Sequence, residues 1–237
     1  MSIFLLILIL STNPIDSLKS LLKEGPNLET ILHLNRLYLE AREFRKGILL
    51  LKKYRRYLGP KEQLLLIYTE AEDYLFAGDI KNAYKQYMEI VIRNPDDELA
   101  NDALERLYLL ETGRVDTTLL KKFVRAIYFY KLKEYHQAID SLKTLLNSKI
   151  GVYAYYYLAL VYDDMEDFAQ SYAVLKEMRK AHPKNRIYDA TILLAELALK
   201  LDKREEAKKV LEELILSVPN SIYTMRAREI ISKNGLE

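Results

Sequence analysis

Apolar residues return along most of the chain at intervals of three and four positions, with short polar stretches between the runs. The stretch 152–185 shows this pattern most fully, since it holds two such runs separated by a polar turn. The first run places on one helix face the side chains of Tyr155, Leu158, Ala159 and Tyr162. Leu175 and Met178 share a face of the second run, and Pro183 ends it. The pattern predicts two antiparallel α-helices joined by a tight turn.

The same two-helix pattern occurs in five stretches of the chain, which are 28–61, 64–97, 119–152, 152–185 and 188–221. Each second helix carries a small residue where the two helices are expected to cross, and these residues are Gly47, Ala83, Ala138, Ser171 and Ala207. Larger side chains there would push the helix axes apart. In the first stretch, Asn35 replaces the usual small residue of the first helix, so this copy is degenerate.

The stretch 152–185 resembles a tetratricopeptide repeat (TPR), a helix–turn–helix unit of about 34 residues with the pattern W-x2-L-G-x2-Y…A-x3-F…P. Tyr155 stands in place of the Trp, and Ser171 in place of the Ala. The resemblance implies an all-α fold, a right-handed superhelical solenoid of antiparallel helix pairs. It also implies a non-enzymatic scaffold that binds another protein or an extended peptide segment.

One additional amphipathic run, 98–110, lies between the second and third copies and is followed by Gly113. It has a C-terminal counterpart, because Ala71, Ala83, Pro95 and Ala103 recur with the same spacing as Ala195, Ala207, Pro219 and Ala227. We therefore predict that each half ends in a helix that covers its last repeat. The predicted N-terminal array, 14–113, holds two repeats, and the predicted C-terminal array, 114–237, holds three. The alternative is one superhelix with a phase break near residues 113–118.

The N-terminal segment is the most apolar part of the sequence. The eight residues from Ile3 to Leu10 are too few to span a bilayer but match the core of an export signal. Residues 1–13 are therefore predicted to be a signal peptide, and the alternative is an apolar first turn packed on the array. A short helix is predicted next, with Asp16 as its N-cap and Gly25 at its C-terminal end.

With an export signal, the chain resembles exported bacterial TPR proteins, namely the Tol–Pal coordinator and the accessory lipoproteins of outer-membrane barrel assembly. Their repeat ends carry a pattern like Pro219-Asn220-Ser221…Ala227. The sequence has no cysteine that a lipid could modify, which argues against the lipoprotein version. This resemblance implies a periplasmic scaffold in cell-envelope assembly or maintenance. The alternative is a cytoplasmic adaptor or regulatory protein that keeps its N-terminal apolar block.

Composition and motifs give an enzyme little support. The absence of cysteine excludes a thiolate nucleophile and thiolate metal ligands, and the three histidines, His33, His136 and His182, lie in no ligand spacing. The sequence contains neither a glycine-rich phosphate loop nor a GxSxG motif. The acidic run 163–167 lacks the pattern of a calcium loop, and we expect it to turn the chain and cap the next helix. We predict no catalytic residue, cofactor or metal.

The segment from Arg45 to Lys61 is locally basic, with seven Lys or Arg residues in a chain whose net charge is only +2. It fits a peripheral anionic surface, which would be lipid, nucleic acid or an acidic partner. Nucleic acid is the least expected of these, because the whole chain is nearly neutral. The alternative is the outward face of a second helix, made soluble by its charges.

In TPR proteins the first helix of each pair lines a concave groove, and the resemblance assigns partner contacts to fixed positions of that helix. Carried onto this sequence, these positions are Tyr68, Glu72, Leu75, Phe123, Ile127, Tyr130, Tyr153, Tyr156, Leu160, Asp163, Ile192 and Glu196. They lack the Lys and Asn residues of the family's carboxylate clamp. Tyrosine suits protein contacts. Tyr155 and Tyr162 are expected to pack between helices, whereas Tyr153 and Tyr156 either pack or bind.

Overall fold

Thirteen α-helices and no strand make up residues 13–236, the part of the chain that the structure, a computed structural model, describes. The helices are α1 (Pro14–Glu24), α2 (Leu28–Glu40), α3 (Phe44–Arg55), α4 (Pro60–Phe76), α5 (Ile80–Arg93), α6 (Glu98–Gly113), α7 (Thr117–Lys131), α8 (Tyr135–Lys143), α9 (Gly151–Asp164), α10 (Phe168–Ala181), α11 (Tyr188–Lys200), α12 (Arg204–Ser217) and α13 (Ile222–Lys233). The prediction of an all-α chain of helix pairs is confirmed.

The helices group into two compact units, and the boundary falls between Glu111 and Thr112, close to the end of α6. Unit 1 contains α1, the pairs α2/α3 and α4/α5, and most of α6. Unit 2 contains the pairs α7/α8, α9/α10 and α11/α12, followed by α13. Within each pair the two helices pack closely against each other.

The turn inside every helix pair has the same backbone structure. One residue in each turn has a positive φ, and the five are Arg42, Gly78, Lys133, Glu166 and Asp202. After each of them the next residue donates its N–H to a carbonyl one helical turn back, as Glu43 does to Tyr38 at 2.7 Å and Asp167 does to Tyr162 at 2.9 Å. This is a Schellman ending, which favours glycine. Only Gly78 meets that preference, so tertiary packing holds the other four turns in shape.

Small residues let the helices of each pair approach closely. Ala71, Ala83, Ala138, Ala159, Ser171, Ala195 and Ala207 all have zero exposed surface. Ser171 makes use of the short distance, because its hydroxyl donates to the Ala159 carbonyl oxygen at 2.8 Å. A bulkier side chain at these crossings would separate the helix axes.

In the degenerate first repeat, a glycine in the second helix compensates for a larger residue in the first. Asn35 is buried in α2, and its Oδ1 points at Gly47 of α3. A methyl group on Gly47 would lie 2.6 Å from that oxygen and 2.7 Å from Oδ2 of Asp73. The missing side chain of Gly47 therefore makes room for the larger Asn35, which explains how this copy departs from the pattern.

Side-chain contacts between neighbouring pairs follow the repeat length. Four of them join residues separated by 34 positions, namely Arg106 to Glu72, Tyr172 to Glu206, Arg179 to Glu213 and Tyr223 to Asp189. The covering helices also correspond, since Ala103 of α6 and Ala227 of α13 are both completely buried. Equivalent positions of successive repeats thus meet in space, as expected for stacked repeats.

Two predictions concern the N-terminal region, namely the cap of its first helix and the signal peptide. Helix α1 begins at Pro14, and its cap is Asn13, whose Oδ1 accepts the N–H of Ile15 at 3.0 Å. The prediction of Asp16 as the N-cap is therefore wrong, because Asn13 precedes the favoured Pro at the first helical position, whereas the predicted ending at Gly25 is confirmed. The predicted signal peptide lies almost wholly outside the described residues. Among those that are described, no helix is long and apolar enough to cross a membrane.

Gly151 offers a test of the packing at the start of α9. A methyl group on this residue would lie 2.2 Å from the carbonyl oxygen of Leu146, a backbone atom with no freedom to move aside. We expect Gly151→Ala to lower the free energy of unfolding by about 1–3 kcal/mol. Urea unfolding followed by circular dichroism measures this loss. Gly25→Ala is the matched control, since nothing lies within 4 Å of its added methyl group. Equal midpoints for the two variants would contradict the expectation.

Candidate partner-binding face

The structure divides the predicted contact positions into two groups. Seven of the twelve positions are half-buried and keep accessible surface, namely Tyr68, Tyr130, Tyr153, Tyr156, Leu160, Asp163 and Glu196. The other five are buried, namely Glu72, Leu75, Phe123, Ile127 and Ile192. The accessible positions concentrate in unit 2.

Glu72 serves the packing of unit 1. It is only 4% exposed. Its two carboxylate oxygens receive Arg106 Nε at 2.7 Å and Arg106 Nη2 at 3.1 Å, and the hydroxyl of Tyr87 donates to Oε1 at 2.5 Å. This bidentate ion pair ties the covering helix α6 to α4. These contacts give Glu72 a packing role, because its carboxylate oxygens accept from buried groups.

Phe123, Ile127 and Ile192 are packing residues as well. The ring of Phe123 meets the ring of Tyr157 edge-on, with centroids 5.4 Å apart, and it also lies 6.5 Å from the ring of Tyr153. Ile127 is 2% and Ile192 1% exposed. Phe123 thus lies in the contact between the successive first helices α7 and α9. The periodicity of a single helix does not distinguish such buried positions from those of the adjacent groove.

A line of aromatic side chains crosses from α7 to α9 in unit 2. Tyr157 meets Tyr130 edge-on at 6.1 Å and Tyr156 at 5.8 Å, so the buried Phe123 and Tyr157 support half-buried tyrosines on either side. Tyr130 and Tyr135 both lie near the carboxylate of Asp164. Burial and the neighbouring carboxylate raise the pKa of Tyr130 well above its usual value, so this hydroxyl stays protonated and remains a donor.

Charged side chains continue this surface across α9, α11 and α13. Lys200 donates to Asp163 at 3.0 Å, and Arg226 lies 3.4 Å from Asp189 and 3.7 Å from Glu196. Burial raises the pKa of Glu196, Asp163 and Asp189 act in the same direction, and the two cations oppose them. The carboxylates of Asp163, Asp164, Asp189 and Glu196 outnumber the cations Lys200 and Arg226, so the surface is acidic.

We call this surface the aromatic–acidic face and define it by Tyr130, Tyr153, Tyr156, Leu160, Asp163, Asp164, Asp189 and Glu196. The sequence places six of these eight among the predicted contact positions. It misses Asp164 and Asp189, because Asp164 falls in the predicted turn and Asp189 lies at the start of α11. The turn prediction itself is confirmed at Asp167, whose side chain accepts the N–H of Gln170 at 3.1 Å and caps α10.

A cavity of about 440 Å³ lies elsewhere in unit 2, among α10, α11 and α12. Its lining includes Arg179, Lys184, Arg186, Glu213 and Ser217. Glu213 is paired with Arg179 at 2.5 Å, and the Ser217 hydroxyl donates to the carbonyl oxygen of Leu214 at 2.9 Å. The hydroxyl proton of this serine is therefore held by the backbone and not by a base. Within residues 13–236, no group of three or more His, Asp or Glu side chains is arranged to hold a metal.

Comparison with known proteins supports the repeat class. The sequence model of the tetratricopeptide repeat family matches residues 164–228, which include α10, α11 and α12 and half of α13. No curated protein matches the sequence. This segment supports the description of the chain as a TPR protein, a class of generally non-enzymatic interaction scaffolds, and nothing found supports the Tol–Pal or outer-membrane assembly resemblance.

Solved structures of TPR proteins are similar at low identity. The TPR2AB domain of yeast Sti1 in its complex with pHSP90 has 13% identity and a TM-score of 0.42, over 92% of this chain and 88% of that one. A thermophilic TPR protein of Thermus thermophilus has 15% identity and a TM-score of 0.42, over 86% of this chain and 98% of that one. At these values no partner or function carries over from either protein.

The buried ion pair between Arg106 and Glu72 can be tested by substitution. Arg106→Ala would leave a carboxylate buried without its counter-charge, so we expect a loss of about 3–5 kcal/mol in the free energy of unfolding of unit 1. Removing all three polar groups, in Glu72→Leu/Tyr87→Phe/Arg106→Leu, should restore most of the loss, because neither a buried charge nor an unpaired buried hydroxyl remains. Arg93→Ala is the control, since Arg93 is 73% exposed and its pair with Glu89 is worth about 0.3–0.5 kcal/mol. A loss at Arg106 no larger than at Arg93 would return Glu72 to the partner-binding candidates.

Proposed function

We propose that the chain is a non-enzymatic scaffold that binds an extended segment of another protein on the aromatic–acidic face of unit 2. The observation that supports this most directly is the set of accessible side chains on one face of α9. Tyr153, Tyr156 and Leu160 follow one another at helical spacing and are half-buried, while their neighbour Tyr157 is buried beneath them. Rigid, partly exposed tyrosines over a packed core are typical of protein contact surfaces.

The chemistry of the face defines the partner. Its apolar part accepts aliphatic or aromatic side chains, and its carboxylates favour a segment that also carries Lys or Arg. The ring of Tyr156 packs edge-on against the buried ring of Tyr157, with centroids 5.8 Å apart, so this part of the face is held in place before a partner arrives. A preorganised group loses little freedom on binding. Binding should weaken as salt increases, since the charges of the face are partly exposed.

For the cellular location we propose export to the periplasm and a role in cell-envelope assembly or maintenance. The support is the apolar run from Ile3 to Leu10, whose length matches the core of an export signal. The alternative is a cytoplasmic adaptor in which residues 1–13 remain attached. Both locations are compatible with the same binding face, because that face lies in unit 2.

Alanine substitution of two tyrosines tests the binding face. Affinity capture with the wild-type chain, followed by fluorescence anisotropy with labelled segments of a captured protein, gives a dissociation constant. We expect Tyr153→Ala/Tyr156→Ala to weaken binding at least about tenfold, as loss of about 1.4 kcal/mol at interface tyrosines would do. The matched control is Tyr84→Ala/Tyr108→Ala, which removes two tyrosines with accessible surface from unit 1.

Circular dichroism of both double variants verifies that the helices remain folded. Equal weakening by the two double variants, or unchanged binding in both, would contradict the assignment of the face. Capture lists that are the same for the wild type and Tyr153→Ala/Tyr156→Ala would also count against it.

Cell fractionation with N-terminal sequencing tests the location. We expect the mature chain to begin close to residue 13 and to occur in the periplasmic fraction, because a signal peptidase would remove the apolar run. A chain that begins at Met1 in the cytoplasmic fraction would establish the alternative. An immunoblot for a cytoplasmic marker is the control for leakage.

A further inference from the structure

Unit 1 carries a second surface of different chemistry on the second helices of its two pairs. Exposed cations line one side of α3 and α5 and the adjacent start of α4, namely Arg45, Lys53, Arg56, Lys61, Lys81 and Lys85. Three large apolar side chains are exposed on the same elements, Leu49 at 57%, Tyr57 at 53% and Ile92 at 69%. We call these nine residues the basic face. We propose that the basic face docks unit 1 onto an anionic lipid bilayer.

Helices α3 and α5 both contact Glu70 of α4. This carboxylate is completely buried in α4. From α3, Lys52 lies 3.5 Å and Arg55 3.7 Å from its oxygens, and from α5 the Gln86 amide donates to it at 3.0 Å. One side chain of α4 thus contacts both helices, and from this we infer that their outward sides belong to one surface.

Glu70 also separates two classes of cation. Lys52 and Arg55 pair with the Glu70 carboxylate, whereas none of the six cations of the basic face forms an ion pair within residues 13–236. Lys52 and Arg55 therefore make contacts within unit 1, whereas the six cations of the basic face are exposed to solvent. The basic face is complementary to a surface of negative charge.

The apolar residues favour lipid over nucleic acid as that surface. On α3, Leu49 lies at helical spacing between Arg45 and Lys53, so an exposed leucine stands within the cationic side. The guanidinium of Arg56 lies 4.9 Å from the Tyr57 ring and donates to its hydroxyl at 2.7 Å. Tyrosine and basic residues around aliphatic side chains suit the headgroup region, where the apolar groups insert and the cations meet anionic lipids. A phosphodiester backbone would engage the cations but leave Leu49 and Ile92 in water.

Vesicle flotation with the full chain tests the proposal, using phosphatidylcholine vesicles with and without about one third phosphatidylglycerol. The N-terminal apolar run would bind both vesicle types alike, so the difference between them reports the basic face. We expect tighter binding to the anionic vesicles and at least about tenfold weakening in Lys53→Glu/Arg56→Glu/Lys85→Glu. The control is Lys143→Glu/Lys180→Glu/Lys209→Glu, which changes the net charge equally on exposed residues of unit 2.

A second variant, Leu49→Ser/Ile92→Ser, tests the apolar contribution without changing any charge. We expect it to weaken binding to anionic vesicles several-fold. Equal binding of the wild type to neutral and anionic vesicles would overturn the proposal. Unchanged vesicle binding by Leu49→Ser/Ile92→Ser, or tighter wild-type binding to duplex DNA than to the vesicles, would overturn it in favour of general polyanion binding. The peptide-binding function of unit 2 is unaffected by any of these outcomes.

Discussion

Ser171 lies where α10 crosses α9, and its hydroxyl reaches the carbonyl oxygen of Ala159 at 2.8 Å, so the two backbones are in near contact. Every helix pair depends on such an approach, because the apolar faces are buried only if the axes come close. The alanines at the equivalent crossings have no exposed surface at all. In the first pair, the absence of a side chain at Gly47 leaves room for Asn35. The spacing of small residues is thus the constraint from which the stacking of each unit follows.

Stacking at a fixed period converts sequence distance into spatial contact. Residues 34 positions apart meet as hydrogen-bonded or ionic pairs, both buried, as for Arg106 and Glu72, and more exposed, as for Arg179 and Glu213. Since each repeat contacts only its neighbours, the rest of the chain does not restrict which side chains its outer surface carries. This freedom explains how unit 1 can carry an outward surface of cations while unit 2 carries a face of tyrosines and carboxylates.

The architecture was predictable because it is periodic. Apolar spacing located the helix pairs, and the recurrence of Ala71, Ala83 and Ala103 as Ala195, Ala207 and Ala227 predicted covering helices, whose alanines are fully buried. Local capping was less predictable, since Asn13 and Asp16 are both good caps, and only the proline that follows Asn13 favours the first. The left-handed turns at Arg42, Lys133, Glu166 and Asp202 have no sequence signal, because packing overrides the preference for glycine there.

The candidate site was predictable only in part, and the reason is geometric. A helical period assigns a residue to a face of its own helix, but the groove and the contact with the next helix adjoin on that face. Phe123 and Tyr153 are both predicted contact positions, and their ring centroids lie 6.5 Å apart. Only Tyr153 keeps accessible surface. Glu72 and Glu196 are equivalent acids that each lie near an arginine, but Glu72 is buried and Glu196 keeps accessible surface. Exposure at equivalent positions therefore depends on what the following helix covers, which is a property of two helices together.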